Sequence, residues 1–264
     1  MFGRQDERPA PLAVTVHEGP GATLLLLHGL TGSAASWMRV APLLGGYRLV
    51  IPDLLGFGRS PKPDSPYDLA AHCAALSPLI AETRPVAVVG HSMGGMIALG
   101  LLQRHAELAA GVLVNPALYE SRQQALVAMG GAPWLQRTSL RSPRLAHFVC
   151  ETFCMLRPLL QLVAPLFARD LPGAVARASL DHSWASYSRT LDYVVLGGLA
   201  RPLLDEVGGR VTIIHGEHDR TIPLPMIESW ASLVRRLVVI DGDHEALLLR
   251  PEAVAREVIE AISP

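Results

Sequence analysis

A chain of 264 residues, half of it hydrophobic and 18% charged, has ample material for a buried core and is too apolar for disorder. Its formal net charge of −1, with no long run of either sign, gives no electrostatic footprint for nucleic acid or an anionic membrane. The start, Met1 to Glu7, lacks a secretory h-region, every apolar stretch is broken before membrane-spanning length, and the cysteines are three (Cys73, Cys150 and Cys154), so the chain reads as cytoplasmic, with small buried or half-buried thiols and no metal site.

Leu12 to His17 reads as a first strand. Thr23 to Leu27 is a continuous apolar run, as in a strand buried on both faces, and it ends at His28-Gly29. Ala34 to Leu44 reads as helical, with Pro42 weakening its last turn and Gly45-Gly46 stopping it. Tyr47 to Ile51 is a strand stopped by Pro52, and Leu69 to Ala81 an amphipathic helix with Pro78 near its end. Val86 to Val89 is a strand, Met93 to His105 a helix, and Gly111 to Val114 a strand ended by Asn115-Pro116. The alternation then stops. Ala117 to about Glu206 is rich in Leu, Ala and Arg and reads as short helices punctuated by Pro133, Pro143, Pro158, Pro165 and Pro172. It resumes with strand Val211 to His215, helix Pro225 to Leu233, strand Leu237 to Ile240 and helix Pro251 to Ile262, with Pro251 at the first helical position. Strands alternating with helices imply a mostly parallel sheet covered on both faces, with reactive groups at the carboxyl ends of the strands. The expected division is an α/β core over 1–116 and 206–264, and a helical cap over 117–205.

The densest chemical signal is Gly90-His91-Ser92-Met93-Gly94-Gly95, directly after the Val86 to Val89 strand. G-x-S-x-G between a strand and a helix turns a serine sharply and leaves its hydroxyl projecting, while the glycines let neighbouring backbone pass close. A serine hydroxyl needs a base, and the base needs an acid to fix its tautomer. The expected chain order is Ser, then acid, then His, so the next strand ends are the places to look. The strand from Val211 runs into His215-Gly216-Glu217-His218-Asp219, and the strand from Leu237 into Asp241-Gly242-Asp243-His244-Glu245. Asp219 and His244 are therefore the candidate acid and base. His91 reads as a packing residue, His215 as a core histidine, and His218 as solvated or pocket-lining. Glu217 and Asp243 are displaced from the tip position, and Asn115 holds no charge. The two oxyanion donors are expected at the Met93 N–H and, from the loop His28 to Gly32, the Leu30 N–H, with the Thr31 N–H as the alternative.

These pieces resemble the capped α/β-hydrolase superfamily over nearly the whole chain. The matching parts are the His28-Gly29 loop, Asp53-Leu54-Leu55-Gly56-Phe57-Gly58-Arg59-Ser60, the Ser92 elbow, Gly216-Glu217-His218-Asp219 and Gly242-Asp243-His244. The resemblance implies an eight-stranded sheet with the second strand antiparallel, a helical cap inserted after the sixth strand, and a structural role for the Asp53 to Ser60 loop. Haloalkane dehalogenases and epoxide hydrolases of this fold carry Asp where this chain has Ser92. Cofactor-free dioxygenases that keep a triad-like set stay open.

The expected function is acyl-enzyme hydrolysis of a small or medium apolar carboxylic ester, thioester or lactone. The resemblance also fits C–C bond hydrolases of vinylogous diketones, and proteins that keep the triad yet bind or rearrange a ligand. The partner is a small molecule. No cofactor is expected, since the glycine-rich stretches lack a P-loop lysine and no dinucleotide fingerprint occurs. Trp37, just after the oxyanion loop, and Trp134 and Trp184, in the helical stretch, are the candidates for lining an apolar substrate cavity. Packing is the alternative for each.

Overall fold

The computed structural model describes residues 11–128, 142–167 and 171–263. Its strands are β1 (Val14–His17), β2 (Thr23–Leu27), β3 (Arg48–Pro52), β4 (Ala87–His91), β5 (Ala110–Val114), β6 (Val211–Gly216) and β7 (Arg236–Ile240). They form one sheet in the order β1-β3-β2-β4-β5-β6-β7. Only β1 runs antiparallel, against β3; every other pairing is parallel. Parallel strands need crossovers, and the crossover helices cover both faces, which is why the inner strands read as unbroken apolar runs. All five residues of β4 and all six of β6 are buried, while the edge strands β1 and β7 keep exposed positions.

The helices are α1 (Leu69–Thr83), α2 (Met93–Arg104), α3 (Arg122–Ala128), α4 (Pro143–Met155), α5 (Arg157–Phe167), α6 (Gly173–Ala178), α7 (Trp184–Thr190), α8 (Ala200–Val207), α9 (Leu224–Glu228), α10 (Ala246–Leu249) and α11 (Pro251–Ile262). The period-two alternation of side chains divides the core between the two sheet faces. Leu25 and Leu27 join α1, α2 and α8 on one face. Leu24 and Leu26 join Trp37, Leu44 and α11 on the other.

The sheet differs from the expected one at its N-terminal edge. The described residues hold seven strands, and the antiparallel one comes first rather than second. Counting it as the second places the helical insertion after the sixth, so the two schemes differ by one strand. Ala34 to Leu44 is two 3₁₀ turns, Ala34–Trp37 and Ala41–Leu44, rather than one helix. Pro42 opens the second turn, where its missing N–H costs nothing, instead of weakening the end of a longer helix. Helix α1 passes through Pro78 to Thr83 and ends on Arg84 in the left-handed conformation. The expected helix Pro225 to Leu233 is the short α9 followed by a 3₁₀ turn at Ala231–Leu233. The expected boundary at 205–206 falls inside α8, whose buried Leu203, Leu204 and Val207 pack in the same core as α2. No change of packing marks that position.

Cys73 is buried, and burial pushes its thiol up to about 11. The side chain of Cys154 and the whole of Trp134 lie outside the described residues. Among the described residues, no helix is long and apolar enough to cross a membrane.

Candidate active site

Strand β4 ends at His91 and α2 begins at Met93, so the whole reversal falls on Ser92. Its backbone sits at φ 52°, ψ −117°, a region that costs a non-glycine residue about 1–3 kcal/mol. Neighbouring backbone holds it there. The Ser92 N–H donates to the Val114 carbonyl at 3.0 Å, and the Ser92 carbonyl accepts from the N–H groups of Gly95 (3.0 Å) and Ala117 (3.2 Å). The flanking glycines are required by contact. A Cβ on Gly94 would lie 2.6 Å from the carbonyl oxygens of both Leu27 and His28, and one on Gly90 would strike the Gly94 backbone. Gly94→Ala is therefore expected to cost about 1–3 kcal/mol of stability, read as a lower denaturant midpoint. An unchanged midpoint would mean that the two backbones do not meet.

His244 lies in the loop after β7, with its Nε2 3.1 Å from Ser92 Oγ. Its Nδ1 lies 2.8 Å from Asp219 Oδ2, in the loop after β6. Asp219 is buried, and its Oδ1 accepts the Thr221 and Ile222 N–H groups, each at 2.8 Å. An ionised carboxylate only accepts, so the proton sits on Nδ1 and Nε2 is free to accept from the serine hydroxyl. Burial works to lower the His244 pKa, but the hydrogen bond and charge of Asp219 outweigh it, helped by Glu245 and Asp243, and the net shift is upward. Burial likewise works to raise Asp219, yet its bond and charge interaction with His244 and the Ile222 N–H carry it below the usual carboxylate range. A hydroxyl, an imidazole and a carboxylate in one line is an arrangement in which the imidazole can take the hydroxyl proton.

Met93 opens α2, where the N–H groups have no intrahelical acceptor. Among the described residues neither it, nor Leu30, nor Thr31 donates its backbone N–H to a partner. Leu30 and Thr31 share a cavity with Ser92, and Thr31 sits at φ 59°. Their loop is braced by Gly32 N–H to Gly29 O at 3.0 Å, and by His28. His28 Nε2 accepts from the Leu54 N–H (2.9 Å), so its Nδ1 donates to Gly29 O (2.7 Å). Burial takes the His28 pKa down to about 4 and keeps the ring neutral.

The cavity measures about 590 Å³. Its described wall is mixed. Leu30, Ala117, Tyr119, Val195 and Ile222 are apolar or aromatic, whereas Thr31, Thr221, His218, Arg220, Asp243 and Glu245 are polar or charged. Trp37 is not part of it. The residue is fully buried on the sheet face opposite α2 and lines a separate cavity of about 380 Å³ with Asp53 and Arg59. Trp184 does not line it either. Its ring lies 5.2 Å from His147 and 6.1 Å from Tyr187, which makes it packing between α4 and α7.

The other candidates have other partners. Asp53 accepts the Ala34 N–H (2.7 Å) and the N–H and Nε–H of Arg59 (2.9 and 3.0 Å), and so ties its loop to the turn after β2. His215 is buried and bonded to the Ile222 carbonyl at 2.9 Å. His91 Nε2 lies 2.9 Å from the His244 carbonyl oxygen. Asn115 is fully buried, with Nδ2 donating to the Asp243 and His244 carbonyls and Oδ1 accepting from the Gly216 N–H. Sequence reasoning treats it only as an uncharged strand end. Glu217, His218 and Asp241 bring ligand-type atoms within 4.8 Å of one another, but all three are exposed and already lie in ion-pair range.

A mostly parallel sheet, helices on both faces, and a hydrogen-bonded serine–histidine–aspartate line at the strand ends define an α/β protein with these three side chains gathered at one sheet edge. Residues 24–257 match the model of the alpha/beta hydrolase family, and the chain belongs to that family. The chain is 27% identical, over 292 aligned positions including gaps, to the probable lysophospholipase BODYGUARD 3 of Arabidopsis thaliana, covering 95% of this chain and 56% of that protein. It is 25% identical over 261 residues to the 2-hydroxy-6-oxo-6-(2'-aminophenyl)hexa-2,4-dienoic acid hydrolase of Metapseudomonas resinovorans, covering 93% and 85%. Among solved structures, the esterase EaEST of Exiguobacterium antarcticum matches with a TM-score of 0.71 at 20% identity, over 95% of this chain and 96% of that one, a likeness of fold alone. The chain spans little more than half, 56–57%, of the length of several curated relatives it matches.

Proposed function

We propose that the protein is a serine hydrolase that cleaves a carboxylic ester through an acyl-enzyme. The observation that carries this reading is the hydrogen-bonded line Ser92–His244–Asp219 beside one cavity. Ser92 Oγ attacks the carbonyl carbon while His244 Nε2 takes its proton. Asp219 holds the imidazole in the Nδ1–H tautomer and stabilises it once charged. The Met93 and Leu30 N–H groups receive the oxyanion. The ester C–O bond then breaks as His244 returns the proton to the leaving alkoxide. Water then attacks the acyl carbon as His244 takes its proton, the acyl C–Oγ bond breaks to release the carboxylic acid, and His244 returns the proton to Ser92 Oγ.

The helical stretch acts as a cap, a reading supported by Ala117, Tyr119 and Val195, which reach the cavity from it. The mixed wall favours an ester that carries a polar group beside its alkyl part over a purely apolar one. A fluorophosphonate is expected to phosphonylate Ser92 Oγ with loss of fluoride, adding the mass of the phosphonyl group. An unlabelled serine in folded protein would sink the mechanism.

The pH profile is a second check. Turnover requires neutral His244, whose pKa lies above the ordinary imidazole range. The rate is therefore expected to rise with pH through that value and then level off. A kcat/KM that stays flat down to about pH 5 would contradict a histidine base.

The Metapseudomonas resinovorans relative, similar over 93% of this chain, supports a second reading, hydrolysis of a C–C bond in a vinylogous diketone. Nitrophenyl esters assayed beside a meta-cleavage diketone separate the two.

A further inference from the structure

We propose that Asn115 is a positioning residue for His244, and that the corner Val114 to Ala117 fixes the distance between base and nucleophile. The inference rests on the serine-hydrolase reading above. Asn115 touches neither Ser92 Oγ nor the imidazole by a hydrogen bond, and it is fully buried. Its Nδ2 donates to the carbonyl oxygens of Asp243 at 2.7 Å and His244 at 3.1 Å. Its Oδ1 accepts from the Gly216 N–H at 2.8 Å. One amide thus ties the end of β5 to the end of β6, three residues before Asp219, and to the backbone of His244 itself.

The backbone of the same corner grips the nucleophile. Val114 accepts from the Ser92 N–H at 3.0 Å, and Ala117 donates to the Ser92 carbonyl at 3.2 Å. All three members of the line are therefore referenced to four consecutive residues that do no chemistry. His91 adds a second donor to the His244 carbonyl, at 2.9 Å. Burial takes the His91 pKa down to about 3, so the ring stays neutral, and its Nε2 carries the proton it donates.

Asparagine suits the position for two separate reasons. The backbone sits at φ 44°, which Asn adopts more readily than other non-glycine residues. The side chain must also donate and accept at once. Aspartate loses the donor, and glycine accepts the backbone but has no amide. Asn115→Gly therefore removes the clamp without straining the turn.

The test compares the wild type, Asn115→Gly and Val258→Ala, a buried truncation in α11 that controls for lost stability. Wild-type labelling of Ser92 by a fluorophosphonate establishes the underlying reading; if it fails, that reading fails and the clamp falls with it. Given labelling, Asn115→Gly is expected to slow phosphonylation and kcat about 10–100-fold with KM little changed. Its acidic limb should also move to lower pH, because a looser Asp219 bond leaves burial to depress His244. Val258→Ala should do neither at equal or greater loss of Tm. Wild-type rates and an unmoved limb in Asn115→Gly would overturn the proposal. A measurement on the wild type is independent of how the variant folds. The Asn115 side-chain amide protons should be protected from solvent exchange and should shift when Ser92 is phosphonylated. Free exchange with no shift would refute the clamp.

Discussion

Ser92→Ala is expected to reduce kcat for any ester the protein turns over by about 10⁴-fold or more, while the fold and the cavity stay intact. Alanine removes one oxygen and leaves the elbow glycines, the Val114 and Ala117 bonds and the free N–H groups in place. Binding of a substrate analogue should survive, since the cavity wall around position 92 is unchanged. Calorimetry of an unreactive ester analogue beside single-turnover kinetics separates the two properties. Retained turnover would point to water activated directly by His244, and would end the acyl-enzyme reading.

Asp219→Asn should rank second, with a fall of about 10³–10⁴-fold in kcat. The amide is isosteric, so the Thr221 and Ile222 N–H groups keep an acceptor at 2.8 Å if Oδ1 stays in place. The other atom becomes an NH₂ that faces His244 Nδ1. The imidazole must then present a lone pair at Nδ1 and carry its proton on Nε2, where it can no longer accept from Ser92. The sign of the pH effect follows. Asp219 is what lifts His244 against the downward pull of burial, so its loss should move the acidic limb of any residual activity to lower pH. An acidic limb that stays put would show that another carboxylate, Glu245 or Asp243, sets the imidazole.

Much of the fold is legible in the sequence because a parallel strand covered on both faces leaves a mark. Thr23 to Leu27 and Val211 to Gly216 are apolar without alternation for that reason. Ser92, Asp219 and His244 are each readable as a residue just past such a strand, and the structure brings their side chains together. Trp37 is harder, because its place depends on which face of the sheet its 3₁₀ turn lies against, and Leu24 and Leu25 look alike in sequence while pointing opposite ways. Asn115 is harder still. Its side-chain bonds span 101 to 129 residues, so no local pattern announces them. The cavity wall draws Tyr119 and Thr221 from two loops and Val195 from the short π-helix Leu191–Val195, and no periodicity links them.

Thr31, Ser92 and Asn115 all hold positive φ without being glycine, and they follow or sit just beyond the adjacent parallel strands β2, β4 and β5. Among the described residues, three of the five non-glycine positions at positive φ thus lie at one end of the sheet, with Tyr67 and Arg84 elsewhere. Selection for heat resistance would favour relaxing Thr31 and Ser92 to glycine, and selection for turnover would favour keeping their side chains and N–H directions. The two pressures oppose each other at those two positions. Gains in thermal tolerance that spare activity therefore have to come from elsewhere in the molecule, such as the exposed ends of β1 and β7.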